Sequence, residues 1–147
     1  MTQRINVAQQ VPQAYHHFLA VEKLLHESEL PTTTLGLIKL RASQINGCGY
    51  CVDMHSRDLK KSGESDERLW SVAAWREATV YTPAERAALA LTEEATRLAD
   101  RAGVPDEVWE EAARHYSEKQ LGLLIVALAM INAWNRIGVT ARLTPGA

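Results

Sequence analysis

Leu40-Arg41-Ala42-Ser43-Gln44-Ile45-Asn46-Gly47-Cys48-Gly49-Tyr50-Cys51-Val52-Asp53-Met54-His55 reads as the end of one helix, a turn, and the start of another. Upstream, the first of these helices follows Pro31 and carries Leu35, Ile38, Leu40 and Ile45. Asn46-Gly47 breaks it, because both residues tolerate a left-handed backbone. The cysteine segment is expected to open the next helix, which runs to Lys60-Lys61 and stops at Gly63. Basic residues in a last turn and glycine just beyond it are stop signals.

The flanking sequence continues the pattern. Tyr15, Phe18, Leu19, Val21, Leu24 and Leu25 recur at helical spacing. A short helix is expected from Ser65 to about Glu77, with Leu69, Trp70, Val72 and Trp75 on it. Thr82-Pro83-Ala84-Glu85 combines an N-cap, proline at the first helical position and the glutamate of a capping box. Pro105 opens another helix, with Val108 and Trp109 expected to face inward. Ser117-Glu118-Lys119-Gln120 is a second capping box, and an apolar helix follows to about Ile137. No segment alternates with period two between turn signals. The expected fold is all-α, a single-domain bundle of about six to eight helices over residues 1–147.

Composition sets outer bounds. A chain of 147 residues fits one domain. At that size roughly 70% of the extended-chain surface is buried, so no disulfide is needed for folding. The hydrophobic fraction of 46% and charged fraction of 23% are those of a globular domain. A net charge of -2 with scattered basic residues gives no electrostatic case for nucleic acid or an anionic membrane. Met1 to Asn6 lacks the apolar stretch of a signal peptide, and the apolar run Leu121–Ile131 is short for a bilayer. The expected compartment is the cytoplasm. There a close cysteine pair is more often catalytic, redox-sensing or metal-binding than a structural staple.

The chain's two cysteines, Cys48 and Cys51, stand three positions apart, and His55 follows four positions after the second. On a helix, residues four apart share a face, which sets His55 beside Cys51. Only a thiolate attacks, and a free thiol has a pKa of about 8.5. Helix N-terminal N–H groups favour a thiolate at Cys48. A protonated His55 favours one at Cys51, and a neutral His55 could serve as its base. The two effects point at different sulfurs. Peroxide reduction suits the arrangement: a thiolate becomes a sulfenic acid, the second thiol condenses with it, and an outside dithiol reduces the disulfide. Disulfide exchange with a protein is the nearest alternative. Zinc is another, with Cys48, Cys51 and His55 joined by one of His16, His17, His26 or His115. Two inert cysteines beside a surface histidine remain the plainest reading. Haem attachment is excluded by Val52, where a histidine is required.

The stretch quoted above resembles the core of the AhpD-like alkylhydroperoxidases, within the carboxymuconolactone decarboxylase superfamily. Ala73-Ala74-Trp75-Arg76-Glu77, Glu85-Arg86-Ala87-Ala88-Leu89-Ala90-Leu91-Thr92 and Asn132-Ala133-Trp134-Asn135-Arg136 resemble it too, so the likeness runs from about Leu35 to Val139. The resemblance implies an all-helical fold that assembles into trimers or hexamers. It implies a thiol peroxidase acting on hydrogen peroxide and organic hydroperoxides without a cofactor or metal. In its terms Cys51 attacks, Cys48 resolves, and His55 belongs to a proton relay. The family glutamate twelve residues before the first cysteine is replaced here by Gly36. Glu77 is the leading candidate to supply the missing carboxylate; Asp53 and Glu22 rank behind it. Tyr50 stands where other members have histidine and could donate a hydrogen bond at the site. The implied alternative, if the relay is broken, is a redox-sensing or disulfide-exchange module with weak turnover.

Several residues carry plainer expectations. Trp75 and Trp134 read as core or interface anchors. His16-His17 reads as a solvated or interface pair. Asn132 and Arg136, one turn apart, could line a subunit contact or a site wall, with a structural role favoured. No nucleotide-binding glycine loop is present, so a dithiol or lipoyl-type protein reductant is expected rather than direct use of NADH.

Overall fold

Gly47 adopts φ 67°, in the left-handed region, and the architecture turns on it. In the computed structural model, which describes residues 1–146, helix α3 (Thr32–Asn46) ends at this glycine. Helix α4 (Gly49–Lys61) starts just beyond. The N–H of Gly47 donates to the Gln44 carbonyl at 3.3 Å and that of Cys48 to the Ser43 carbonyl at 3.1 Å. These bonds satisfy carbonyls that a helix end leaves free. A residue with a side chain would be strained at Gly47 by about 1–2 kcal/mol.

Eight α-helices and two 3-10 turns make up the described residues, with no strand among them. A short α1 (Val7–Gln10) precedes α2 (Pro12–His26). After α3 and α4 come α5 (Asp66–Ser71), a 3-10 turn at Val72–Ala74, and α6 (Pro83–Thr96). A second 3-10 turn at Leu98–Asp100 leads to α7 (Asp106–His115) and α8 (Glu118–Ala141). Both expected capping boxes form, at Thr82/Glu85 and Ser117/Gln120.

Helix α3 is the centre. Every residue from Leu37 to Ser43 is buried, and α3 packs against α4, α6 and α8. One side joins Leu35 and Ile38 to Leu25, Leu91, Leu124 and Leu128. The other joins Leu37 and Leu40 to Leu59, Val72, Trp75 and Leu89. Each buried leucine stabilises the fold by roughly 1.5–3 kcal/mol relative to exposure.

Three expectations need correction. The helix from Ser65 stops at Ser71 and tightens to a 3-10 turn rather than reaching Glu77. Arg86 explains this: its guanidinium donates to the carbonyls of Trp75, Arg76 and Ala78, bonds that replace a continued helix. Trp109 does not face inward; it is 39% exposed, on the rim of an open apolar groove of about 540 Å³ with Leu98 and Ile125. The apolar run Leu121–Ile131 belongs to a helix of 24 residues, long and apolar enough by length and composition to cross a membrane. Its apolarity has a structural cause, because Leu121, Leu124, Leu128, Ile131, Asn135 and Gly138 form its buried stripe within the bundle.

Candidate active site

Cys48 is the N-cap of α4, in extended conformation, and its sulfur accepts a hydrogen bond from the Cys51 N–H at 3.3 Å. The geometry follows from sequence. The Gly47 turn redirects the chain, and Cys48 takes the cap position that Ser or Asp commonly fills. One turn on, Cys51 reaches back and the two sulfurs are joined as a disulfide. Both cysteines are buried, at 1% and 3% exposure.

The two sulfurs meet different surroundings. Cys48 lies against α8 at Gly138, where a Cβ would come within 2.8 Å of its sulfur. Only glycine allows that approach without displacing the pair. The turn is tied to α8 by side-chain amides as well. Asn46 donates to Asn132 and Asn135, both at 2.9 Å, and Asn135 donates to the Ser43 hydroxyl at 3.0 Å. Cys51, unlike Cys48, lines a cavity of about 310 Å³ between α2, α3, α4 and α8. His55 is on its wall with Tyr50, Met54, Tyr15 and Trp134.

His55 has an unusual environment. Its Nε2 is buried and has no hydrogen-bond partner among the described residues. Burial first, then the nearby charges of Lys39 and His26, push its pKa down from 6.5 to about 4. In the disulfide form it is therefore a neutral imidazole at physiological pH.

A charged pair completes the wall. Lys39 of α3, 5% exposed, donates to Glu22 of α2. The other oxygen of Glu22 accepts from the Trp134 indole at 3.1 Å. Trp134 is itself held edge-on by Tyr15 and Phe18, at 5.1 and 5.3 Å between ring centres.

The expected site residues separate on this geometry. Cys48, Cys51, His55 and Tyr50 come together at the start of α4. Glu77 does not join them: it is exposed, on the turn after Ala74, and lines no part of the cavity. Arg86 pins that turn to α6 and keeps it there. Asp53 lies on the outer side of α4, paired with Arg57 at 3.0 Å and accepting the Gly146 N–H at 3.1 Å. Glu22, ranked below Glu77 on sequence, lines the cavity, as does Asp58 of α4. A glutamate at position 36 would first meet Leu59, since a Cβ there falls 2.5 Å from Leu59 Cδ2. Leu59 thus occupies the route by which such a side chain would run along α4. Lys39 escaped the sequence reading. Its signal was a lysine within the run Leu37-Ile38-Lys39-Leu40, where burial on all sides demands a partner. Among the described residues, no three His, Cys, Asp or Glu side chains converge as metal ligands.

Known proteins share this frame. The carboxymuconolactone decarboxylase family model matches residues 11–94. YdfG, an uncharacterised protein of Bacillus subtilis, is 39% identical over 139 residues, covering 95% of this chain and 94% of its own. A solved protein of unknown function from Agrobacterium tumefaciens, suggested to be the antioxidant defence protein AhpD, superposes with a TM-score of 0.95. It is 38% identical over 99% of both chains. The debrominase Bmp8 superposes with a TM-score of 0.85 at 23% identity, covering 95% of this chain and 74% of its own, a likeness of fold alone. The chain thus belongs to the carboxymuconolactone decarboxylase family, with an AhpD-like all-helical fold.

Proposed function

We propose that this protein is a thiol-dependent peroxidase that reduces hydrogen peroxide or organic hydroperoxides through Cys48 and Cys51. The observation that carries the reading is the asymmetry of the pair: Cys51 opens on a cavity shared with His55, while Cys48 is sealed against α8. The Cys51 thiol gives its proton to neutral His55, and the thiolate attacks the terminal peroxide oxygen. The O–O bond breaks, leaving Cys51 as a sulfenic acid, and the departing alkoxide takes the proton from His55 to become an alcohol. Cys48 then condenses with the sulfenic acid, releasing water and forming the disulfide. An external dithiol or lipoyl-type protein attacks Cys51, the sulfur that lines the cavity, and Cys48 leaves as a thiolate at the helix N-terminus. Two thiols are restored and the reductant becomes a disulfide.

Peroxide consumption driven by dithiothreitol should be lost in Cys51→Ser. Unchanged turnover in that variant would overturn the reading. A redox sensor with little turnover is the second reading, favoured by Gly36 standing where the family glutamate is expected, with Leu59 filling the space beside it. Rapid loss of both thiols to one equivalent of peroxide, with no turnover under reductant, would select it. We also propose self-association as trimers or hexamers, supported by the exposed apolar groove at Leu98, Trp109 and Ile125. A monomeric mass by light scattering would exclude it.

A further inference from the structure

A buried ammonium is costly, and one side chain must justify Lys39. Desolvating it costs several kcal/mol unless it is paired with good geometry. Glu22 provides the pair, and Trp134 holds Glu22 from the other side. Three elements, α2, α3 and α8, thus converge to fix one cation on the wall shared by Cys51 and His55.

We propose that Lys39, fixed by Glu22 and Trp134, is the cation of the site and stabilises the Cys51 thiolate. This deepens the peroxidase reading and rests on Cys51 being the attacking sulfur. The usual source of positive charge beside such a thiol would be the neighbouring histidine. Here His55 is buried, and the field of Lys39 opposes its protonation. The two roles therefore fall to two residues: Lys39 supplies fixed charge and His55 exchanges protons. Other titratable groups face the same space. Tyr15, Glu22 and His26 do so from α2, and Tyr50, His55 and Asp58 from α4. The α8 wall brings Trp134, which does not titrate.

The test reads the thiolate without needing peroxide. In a Cys48→Ser background, serine keeps an oxygen acceptor at the helix cap and Cys51 is the only thiol. The rate of iodoacetamide alkylation against pH then gives the Cys51 titration. Adding Lys39→Met should move the midpoint upward and slow alkylation at pH 7 by about tenfold, one pKa unit's worth. Lys39→Arg should restore most of the rate. If Lys39→Met fails to fold, Glu22→Gln is read instead: removing the opposing charge should move the midpoint downward. An unchanged midpoint in a folded Lys39→Met or Glu22→Gln protein would overturn the proposal. A shifted midpoint without peroxide turnover in the parent chain would support Lys39 while overturning the peroxidase reading. Turnover with an unshifted midpoint would do the reverse.

Discussion

Two carboxylates in this bundle make nearly the same bonds to opposite ends. Glu93 accepts from the Trp75 indole at 2.9 Å and from Arg41 of α3 at 3.0 Å. Glu22 accepts from the Trp134 indole at 3.1 Å and from Lys39 of α3. The cations are two positions apart on one helix. Glu93 is then closed off: Arg76 adds a contact at 3.1 Å and Arg97 one at 3.6 Å. Arg76 and Arg86 also cover the Trp75 ring, at 4.4 and 5.2 Å. Glu22 instead borders a cavity with a disulfide and an unpartnered imidazole. The cation types fit this division. A guanidinium fork suits a saturated bidentate cluster, whereas an ammonium is a compact charge that can serve a second group. The same motif is a fastener where it is sealed and part of a reactive wall where it is open.

Removing the carboxylates tests that contrast most severely. Glu93→Ala strands Arg41 in the interior and should cost about 3–5 kcal/mol, a fall in Tm on the order of 10 °C. Glu22→Ala leaves Lys39 beside a cavity that water can enter, so about 1–3 kcal/mol is expected. Thermal melts of the two variants giving equal losses would break the comparison. Acid comes next. The folded pKa of His55, about 4, lies below its ordinary 6.5. Between those values the unfolded chain binds a proton that the folded chain does not. Stability is therefore full above about pH 6.5 and falls as pH drops towards 4, by at most about 3 kcal/mol from this residue. Denaturant titrations of His55→Phe across that window should lose this part of the slope; an unaltered slope would place the titration elsewhere. The most local effect is expected at Gly138→Ala. Its methyl would press on the Cys48 sulfur, costing about 1–3 kcal/mol as overpacking. Differential scanning calorimetry of the reduced and oxidised variant should find the loss in both forms.

What the chain discloses depends on how far apart its partners lie. The α3–turn–α4 boundaries, both capping boxes and the all-α class follow from residues within a few positions of each other, and those local signals held. So did the grouping of Cys48, Cys51 and His55, because helical spacing alone brings them together. Glu22 and Lys39 stand 17 positions apart and meet only in the folded bundle, and no periodicity records that meeting. Glu77 carried a family likeness in its neighbours, but the bonds Arg86 makes to its turn leave it in solvent. Trp109 shows a related limit: its helix is amphipathic as expected, yet a tryptophan at the edge of the stripe can face a groove rather than the core.

Gly138 has a consequence for anyone mapping this protein by mutation. It holds no proton, no charge and no hydrogen-bonding side chain, yet a single carbon added there would fall 2.8 Å from the Cys48 sulfur. A library scored only for lost activity should rank this position with the cysteines and the histidine. Its sensitivity would report the room a sulfur needs, and a survey blind to geometry would mistake empty space for a reagent.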